Sequence, residues 1–337
     1  MTKIEWTHRP DTKAESWNFL AGCTKVSPGC KNCYALRDSW RIVHAEKHPE
    51  RYDGVVMKSP RGKLMWTGVV NLSEYALLRP LHWRKPRTVF VASMSDLFHP
   101  SVPFEFIIQA FAVMALTPKH IYQVLTKRAK RMREFFTLYE LSDLWYWRDR
   151  IYHGHGPGEG IRLEGDIEID THPNNPAFTH TTILEHEPEP TWPLPNVWLG
   201  VTAEDQQRAN ERIPDLLEIQ ATVRFVSIEP MLEHVDLIPT GALQVSAIDG
   251  EVWNSRVDWI VSGGESGHDA RPMDLAWTRD LITQCQGADV PVFVKQLGTR
   301  WAKKLGQPTS RFSPYPGRKG QNIEAWPKDL RVREFPA

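Results

Sequence analysis

The chain has 337 residues, 41% hydrophobic and 24% charged, the proportions of a globular protein with one large domain or two ordinary ones. Its 41 Lys and Arg balance 41 Asp and Glu, so no global basic field points to nucleic acid. No apolar run approaches the roughly 20 residues that span a bilayer, and Met1-Thr2-Lys3-Ile4-Glu5-Trp6 lacks a signal-peptide core, so the expectation is a cytoplasmic protein with no membrane part and reduced thiols.

The first strand is expected at Ser16-Trp17-Asn18-Phe19-Leu20, a short apolar and aromatic run. It delivers Gly22-Cys23-Thr24-Lys25-Val26-Ser27-Pro28-Gly29-Cys30-Lys31-Asn32-Cys33-Tyr34-Ala35. This stretch holds three of the four cysteines, spaced C-x6-C-x2-C. Gly and Pro between the first two let the backbone fold back, and the C-x-x-C pair brings two sulfurs to one point. Three thiolates on one loop can hold an iron–sulfur cluster and leave one iron without a protein ligand. They can also hold zinc, with a fourth ligand such as His44, His48 or Cys285. A helix is expected from Asn32 to about His48, with Tyr34, Ala35, Ile42, Val43 and Ala45 available for a buried face. Residues 49–80 show no assignable pattern.

The chain then becomes regular. Thr88–Ala92 is the second strand, followed at once by Ser93, Ser95 and Asp96, and Pro103 can open a helix over Phe104 to Leu116. His120–Leu125 is the third, ending in Thr126-Lys127-Arg128, with a helix to about Phe136. Residues 138–195 break the rhythm with glycines at 154, 156, 158 and 160, prolines at 173, 176, 188, 190, 193 and 195, and histidines that include His153 and His155. They read as an insertion or long lid. Asn196–Val201 is the fourth strand, ending in Thr202-Ala203-Glu204-Asp205 before a helix over Gln206 to Leu217. Val223–Ile228 is the fifth and ends in Glu229-Pro230. Asp258–Ser262 is the sixth and ends in Gly263-Gly264-Glu265-Ser266-Gly267. A helix over Leu275 to Cys285 leads to the seventh, Val290–Val294, which ends in Lys295-Gln296. Cys285 reads as a packed core thiol.

Seven near-continuous apolar runs with helices between them predict an α/β fold with a parallel sheet, a complete or partial (β/α) barrel. It covers 1–298 with the insertion at 138–195, and 299–337 reads as an irregular tail made basic by Lys303, Lys304, Arg311, Arg318 and Lys319. Residues just after the strands line the active-site mouth of such barrels. The candidate binding set is therefore Ser93, Ser95, Asp96, Thr126, Lys127, Thr202, Glu204, Glu229, Gly263 and Gly264. Backbone N–H groups at Gly263-Gly264 can cradle a phosphate or carboxylate. Asp96, Glu204 and Glu229 suit ribose hydroxyls, an amine or general-base work. Lys127 and Lys295 can pair with those carboxylates or bind an anionic substrate.

A cysteine triad after the first strand of a parallel barrel, with an aromatic after the last cysteine (Cys33-Tyr34), resembles the radical S-adenosylmethionine superfamily. Ile4-Glu5-Trp6-Thr7, the cysteine loop, Ser93-Met94-Ser95-Asp96-Leu97-Phe98, Leu125-Thr126-Lys127-Arg128, Gly200-Val201-Thr202-Ala203-Glu204, Ser227-Ile228-Glu229-Pro230-Met231, Ser262-Gly263-Gly264-Glu265 and Val294-Lys295-Gln296 are similar to the blocks of a three-cysteine-motif family of phage and prophage proteins. The likeness covers about 1–137 and 196–298.

The resemblance implies that Cys23, Cys30 and Cys33 ligate a [4Fe–4S] cluster whose open iron takes the amino and carboxylate groups of S-adenosylmethionine. Electron transfer from the reduced cluster then cleaves the sulfonium to a 5′-deoxyadenosyl radical, which abstracts hydrogen from a substrate. It also implies a reductant protein such as a flavodoxin or ferredoxin. A phage-type context suits a nucleic acid or a nucleotide precursor as substrate. The first cysteine gap is six residues where the superfamily has three. The Gly-Gly-Glu block follows the sixth strand rather than the second, so the amine role falls to Asp96 or Ser93 and not to Glu265. The residues alone leave two other readings open: a zinc-binding module without catalysis that binds nucleic acid or a protein, and an iron–sulfur protein for electron transfer or sensing. Polar residues after so many strands favour an enzyme.

Overall fold

Strands buried on both faces need apolar side chains at nearly every position, and those runs build the sheet. The computed structural model describes residues 4–45, 49–139, 141–152, 192–244, 246–248, 251–253, 256–306 and 317–336. Its strands are β1 (Lys13–Trp17), β2 (Arg87–Val91), β3 (Ile121–Thr126), β4 (Val197–Thr202), β5 (Val223–Ile228), β6 (Trp259–Gly263) and β7 (Val292–Gln296). They follow one another in sequence order in a seven-stranded sheet that runs from β1 to β7 and does not return to β1. The expected parallel α/β architecture is present. Of the two expected forms, the complete ring is not what this strand order makes.

The chain divides into two compact units. The first comprises residues 1–23, 39–124 and 134–197, and the second 24–38, 125–133 and 198–337. In the first, β1 pairs with β2 and β2 with β3, both parallel. The first sheet strand lies earlier than expected and ends at Trp17. Leu20–Ala21 leaves the sheet to pair antiparallel with Asn71–Leu72. The reason is packing: the Trp17 indole N–H donates to the Ala76 carbonyl at 2.7 Å, and its ring meets Phe19 at 4.3 Å and Tyr122 at 5.6 Å. The stretch that showed no pattern, 49–80, holds a small hairpin, Val56–Lys58 against Leu64–Trp66, and a one-turn helix capped by the Ser73 hydroxyl. Part of the expected insertion is regular, because Leu141–Tyr152 is a helix. Trp192, near its end, stacks on Phe136 at 4.7 Å. His153, His155 and the glycines lie outside the described residues.

In the second unit β4, β5, β6 and β7 pair in turn, all parallel. Trp259 of β6 centres its core, within about 6 Å of the rings of Trp198, Phe225, Phe293 and Phe335. Helix α1 (Tyr34–Val43) starts there, shorter than the sequence pattern suggested. Helices α2 (Phe104–Ala115) in the first unit and α3 (Gln206–Leu217) and α4 (Leu275–Gly287) in the second fall within a residue or two of expectation. Cys285 is fully buried in α4, as expected of a core thiol, and burial, with the Glu334 charge, pushes its pKa up to about 12. The stretch read as an irregular tail opens with a helix, Thr299–Leu305. No helix among the described residues is long and apolar enough to cross a membrane.

Candidate functional site

The predicted residues divide between the units. Cys23, Ser93, Ser95 and Asp96 belong to the first; Cys30, Cys33, Thr126, Lys127, Thr202, Glu204, Glu229, Gly263 and Gly264 belong to the second. In the first unit the turn into Cys23 depends on Gly22, whose φ is +98° and whose added Cβ would lie 2.1 Å from the Val69 carbonyl oxygen. The Ser95 hydroxyl donates to the Gly22 carbonyl, so this residue supports the entry to the cysteine loop. Ser93 donates to the Asn18 side chain at 3.0 Å, and the buried Asp96 accepts the Phe98 N–H at 3.0 Å. These three strand-end groups are bound to neighbouring loop residues.

In the second unit the cysteine loop meets the residues after three strands: Arg128 Nη2 donates to the Thr24 hydroxyl at 2.9 Å, and Glu204 and Glu265 take N–H groups of the loop. Pro28–Cys30 forms one 3-10 turn, closed by Cys30 N–H on the Ser27 carbonyl at 3.0 Å, with the Ser27 hydroxyl 3.9 Å from the Cys30 sulfur. Cys33 stands immediately before α1. Burial raises its thiol pKa. The backbone N–H groups of Leu36 and Ala35, which bond its sulfur, and the charge of Lys127 work the other way, and Cys30 adds to the rise. The helix N-terminus and the ammonium group each favour anionic sulfur at Cys33, but burial prevails and the thiol stands above its ordinary pKa until something binds it.

Glu204, after β4, is 0% exposed, yet ionised. Burial opposes its charge, but Lys127, Arg212, Ser27 and the Gly29 N–H together hold the carboxyl below the usual range. Arg212 lies 3.0 Å from one oxygen and Gly29 N 3.0 Å from the other. Glu265, after β6, is 6% exposed and receives Arg271 through Nη2 at 2.6 Å, Nε at 2.9 Å and the backbone N–H at 2.7 Å. The Asn32 amide reaches the same carboxylate at 3.0 Å. Burial is again outweighed, and the Glu265 carboxyl stays below its ordinary value.

Glu229, after β5, pairs with Lys295, after β7, at 2.8 and 2.9 Å, one of the pairings expected for that lysine. Both ends of this pair keep some exposure, 15% and 18%. The Thr126 hydroxyl accepts the Arg128 N–H at 2.9 Å, and Thr202 is buried with its carbonyl bound by Arg212. The Gly263-Gly264 turn does not offer the expected anion cradle at Gly264. That N–H goes to the Gln296 carbonyl at 2.9 Å, and an added Cβ would lie 2.7 Å from the Leu297 carbonyl oxygen. Gly263 accepts the Met231 N–H through its carbonyl.

Gly29, Asn32, Arg212, Arg271 and Gln296 complete this arrangement, and none stood out in the sequence. The Asp205-x-x-Arg208 start of α3 placed Arg212 one turn further on the same helix, which was the one signal for it.

Among the described residues no three His, Cys, Asp or Glu side chains are grouped to hold a metal ion. The donor chemistry of the loop nevertheless fits a soft metal or a cluster: Cys23, Cys30 and Cys33 are partly exposed and in no disulfide. Together these features define a parallel α/β protein whose second unit gathers paired charges about a cysteine loop. The chain belongs to the family described as protein of unknown function (DUF5131), whose model matches residues 1–325. No curated protein and no solved structure matches it.

Proposed function

We propose that this chain is a radical S-adenosylmethionine enzyme in which Cys23, Cys30 and Cys33 hold a [4Fe–4S] cluster. The observation that carries the reading is the cysteine loop itself, where Cys30 and Cys33, partly exposed and with two residues between them, sit at the start of a helix whose Leu36 and Ala35 N–H groups bond the Cys33 sulfur. When bound, the cluster supplies the electron that cleaves the sulfonium of S-adenosylmethionine and so starts radical chemistry. The chain's own residues hold the cysteine loop against the strand ends and exclude water through the buried pair Glu204–Arg212 and the buried Glu265 carboxylate, which the partly exposed Arg271 holds. The Glu229–Lys295 pair keeps enough exposure to meet the nucleoside or the substrate. The substrate is a nucleic acid or a nucleotide precursor, and the electron comes from a protein of flavodoxin or ferredoxin type.

The test is anaerobic reconstitution with iron and sulfide, read by metal analysis and the visible spectrum. Wild-type protein should take up iron and sulfide together. Cys30→Ala and Cys33→Ala should abolish uptake, while Cys285→Ala should retain it because that thiol is enclosed in the core. Protein that holds one zinc and refuses iron would end this reading.

A further inference from the structure

Glu204 and Glu265 follow β4 and β6, and both reach the cysteine loop of the same unit. Glu204 accepts the N–H of Gly29, the residue before Cys30. The approach is so close that a Cβ on Gly29 would lie 2.9 to 3.2 Å from the Glu204 carboxyl group and its Cγ. Glu265 accepts the amide of Asn32, the residue before Cys33, and that amide also donates to the Asp269 carbonyl at 2.9 Å. Each carboxylate is in turn fixed by an arginine of its own, Arg212 at 3.0 Å and Arg271 at 2.6 Å.

We propose that Glu204 and Glu265 are positioning residues that clamp the Cys30-x-x-Cys33 turn, one acting on the residue before each cysteine. Both sit at the ends of buried strands, the stiffest points available. The clamp orders the two sulfurs before anything binds, which lowers the ordering cost that a ligand would otherwise meet. It also gives Glu204 a different role from the cofactor contact expected of it. The inference rests on the proposed function only for what the loop holds.

The test needs no metal. Reduced, metal-free, full-length protein is alkylated with iodoacetamide, and the rate at each cysteine is read by peptide mass spectrometry. Local opening controls such rates. Glu204→Ala should speed Cys30 by about tenfold and Asn32→Ala should speed Cys33 by about tenfold, with the buried Cys285 unlabelled in both. Glu204→Gln keeps an acceptor for the Gly29 N–H and should stay within about twofold of wild type, whereas Gly29→Ala should behave like Glu204→Ala.

Unchanged rates at Cys30 and Cys33 with Cys285 silent would overturn the clamp. So would acceleration that always brings Cys285 with it, which marks general unfolding. If Glu204→Ala alone exposes Cys285, the Asn32→Ala and Glu204→Gln rates decide the matter. A protein that binds only zinc but shows these rates keeps the clamp and loses the cluster; the reverse result removes the clamp alone.

Discussion

His120 shows how a single buried side chain couples this protein to pH. Its ring is fully enclosed beside Trp83, with centroids 5.5 Å apart. Burial, aided by the charges of Lys119 and Arg87, lowers its pKa from 6.5 to about 4, and the nearby Pro80 backbone offsets only part of this. The folded pKa is the lower one, so the unfolded chain takes up its proton first as pH falls. His120 therefore costs nothing above about pH 6.5 and removes stability progressively between 6.5 and about 4. Glu204 and Glu265 also have lowered folded values, so their contribution is present above the unfolded value of 4.5 and is lost as pH falls through the folded ones. Thermal melts between pH 8 and pH 4 should show the melting temperature dropping from about pH 6.5 downward. His120→Phe should flatten the drop above pH 4.5 and leave the later one. An identical slope in the variant would show that another group sets the acid response.

At the scale of elements, the contact between β4 and β5 depends on a residue without a side chain. Gly200 is the register partner of Phe225, and a Cβ there would lie 2.5 to 2.6 Å from three atoms of the Phe225 ring. The ring is fully buried, so it has nowhere to move without displacing Trp259, 6.0 Å away. Gly200→Ala should cost about 1–3 kcal/mol in a denaturant titration. Gly287→Ala, where an added Cβ meets nothing within 4 Å, should stay within about 0.5 kcal/mol. The strands themselves were legible because parallel strands covered on both faces need unbroken apolar runs. β2 to β7 fall on the expected runs within one or two residues. β1 was displaced because Trp17 and Phe19 are both aromatic and both buried, and the run gives no sign that the chain leaves the sheet between them. The site was legible in part. The periodicity showed that Glu204, Glu229 and Lys295 follow strands, and even allowed for ion pairs. It did not show that Glu204 meets Gly29, a contact 175 residues apart in sequence. Long-range partners leave no local pattern, so a polar residue after a strand reads the same whether it faces a ligand or a loop.

For the whole chain, the open strand order raises the question of what protects its last strand. β7 ends the sheet, and an exposed edge strand presents unpaired N–H and C=O groups to other chains. The final residues cover it. Val294 N–H donates to the Val332 carbonyl and Glu334 N–H to the Val292 carbonyl, both at 2.9 Å, with an antiparallel bridge between Phe293 and Arg333. The Arg333 guanidinium lies over Phe293 at 5.3 Å and Trp326 at 5.2 Å, and Phe335 packs on Trp259 and Phe293 at 5.6 and 5.3 Å. The family match ends at residue 325, just before this covering segment. A formal net charge of zero supplies no electrostatic repulsion to keep bare edges of two copies apart. Removing residues 326–337 should therefore lower the melting temperature and produce concentration-dependent association in size-exclusion chromatography with light scattering. Phe335→Ala, which leaves the backbone pairing in place, should lower the melting temperature while the protein keeps the oligomeric state of the full chain. A truncated chain that keeps both the melting temperature and the oligomeric state of the full one would show that the edge needs no cover.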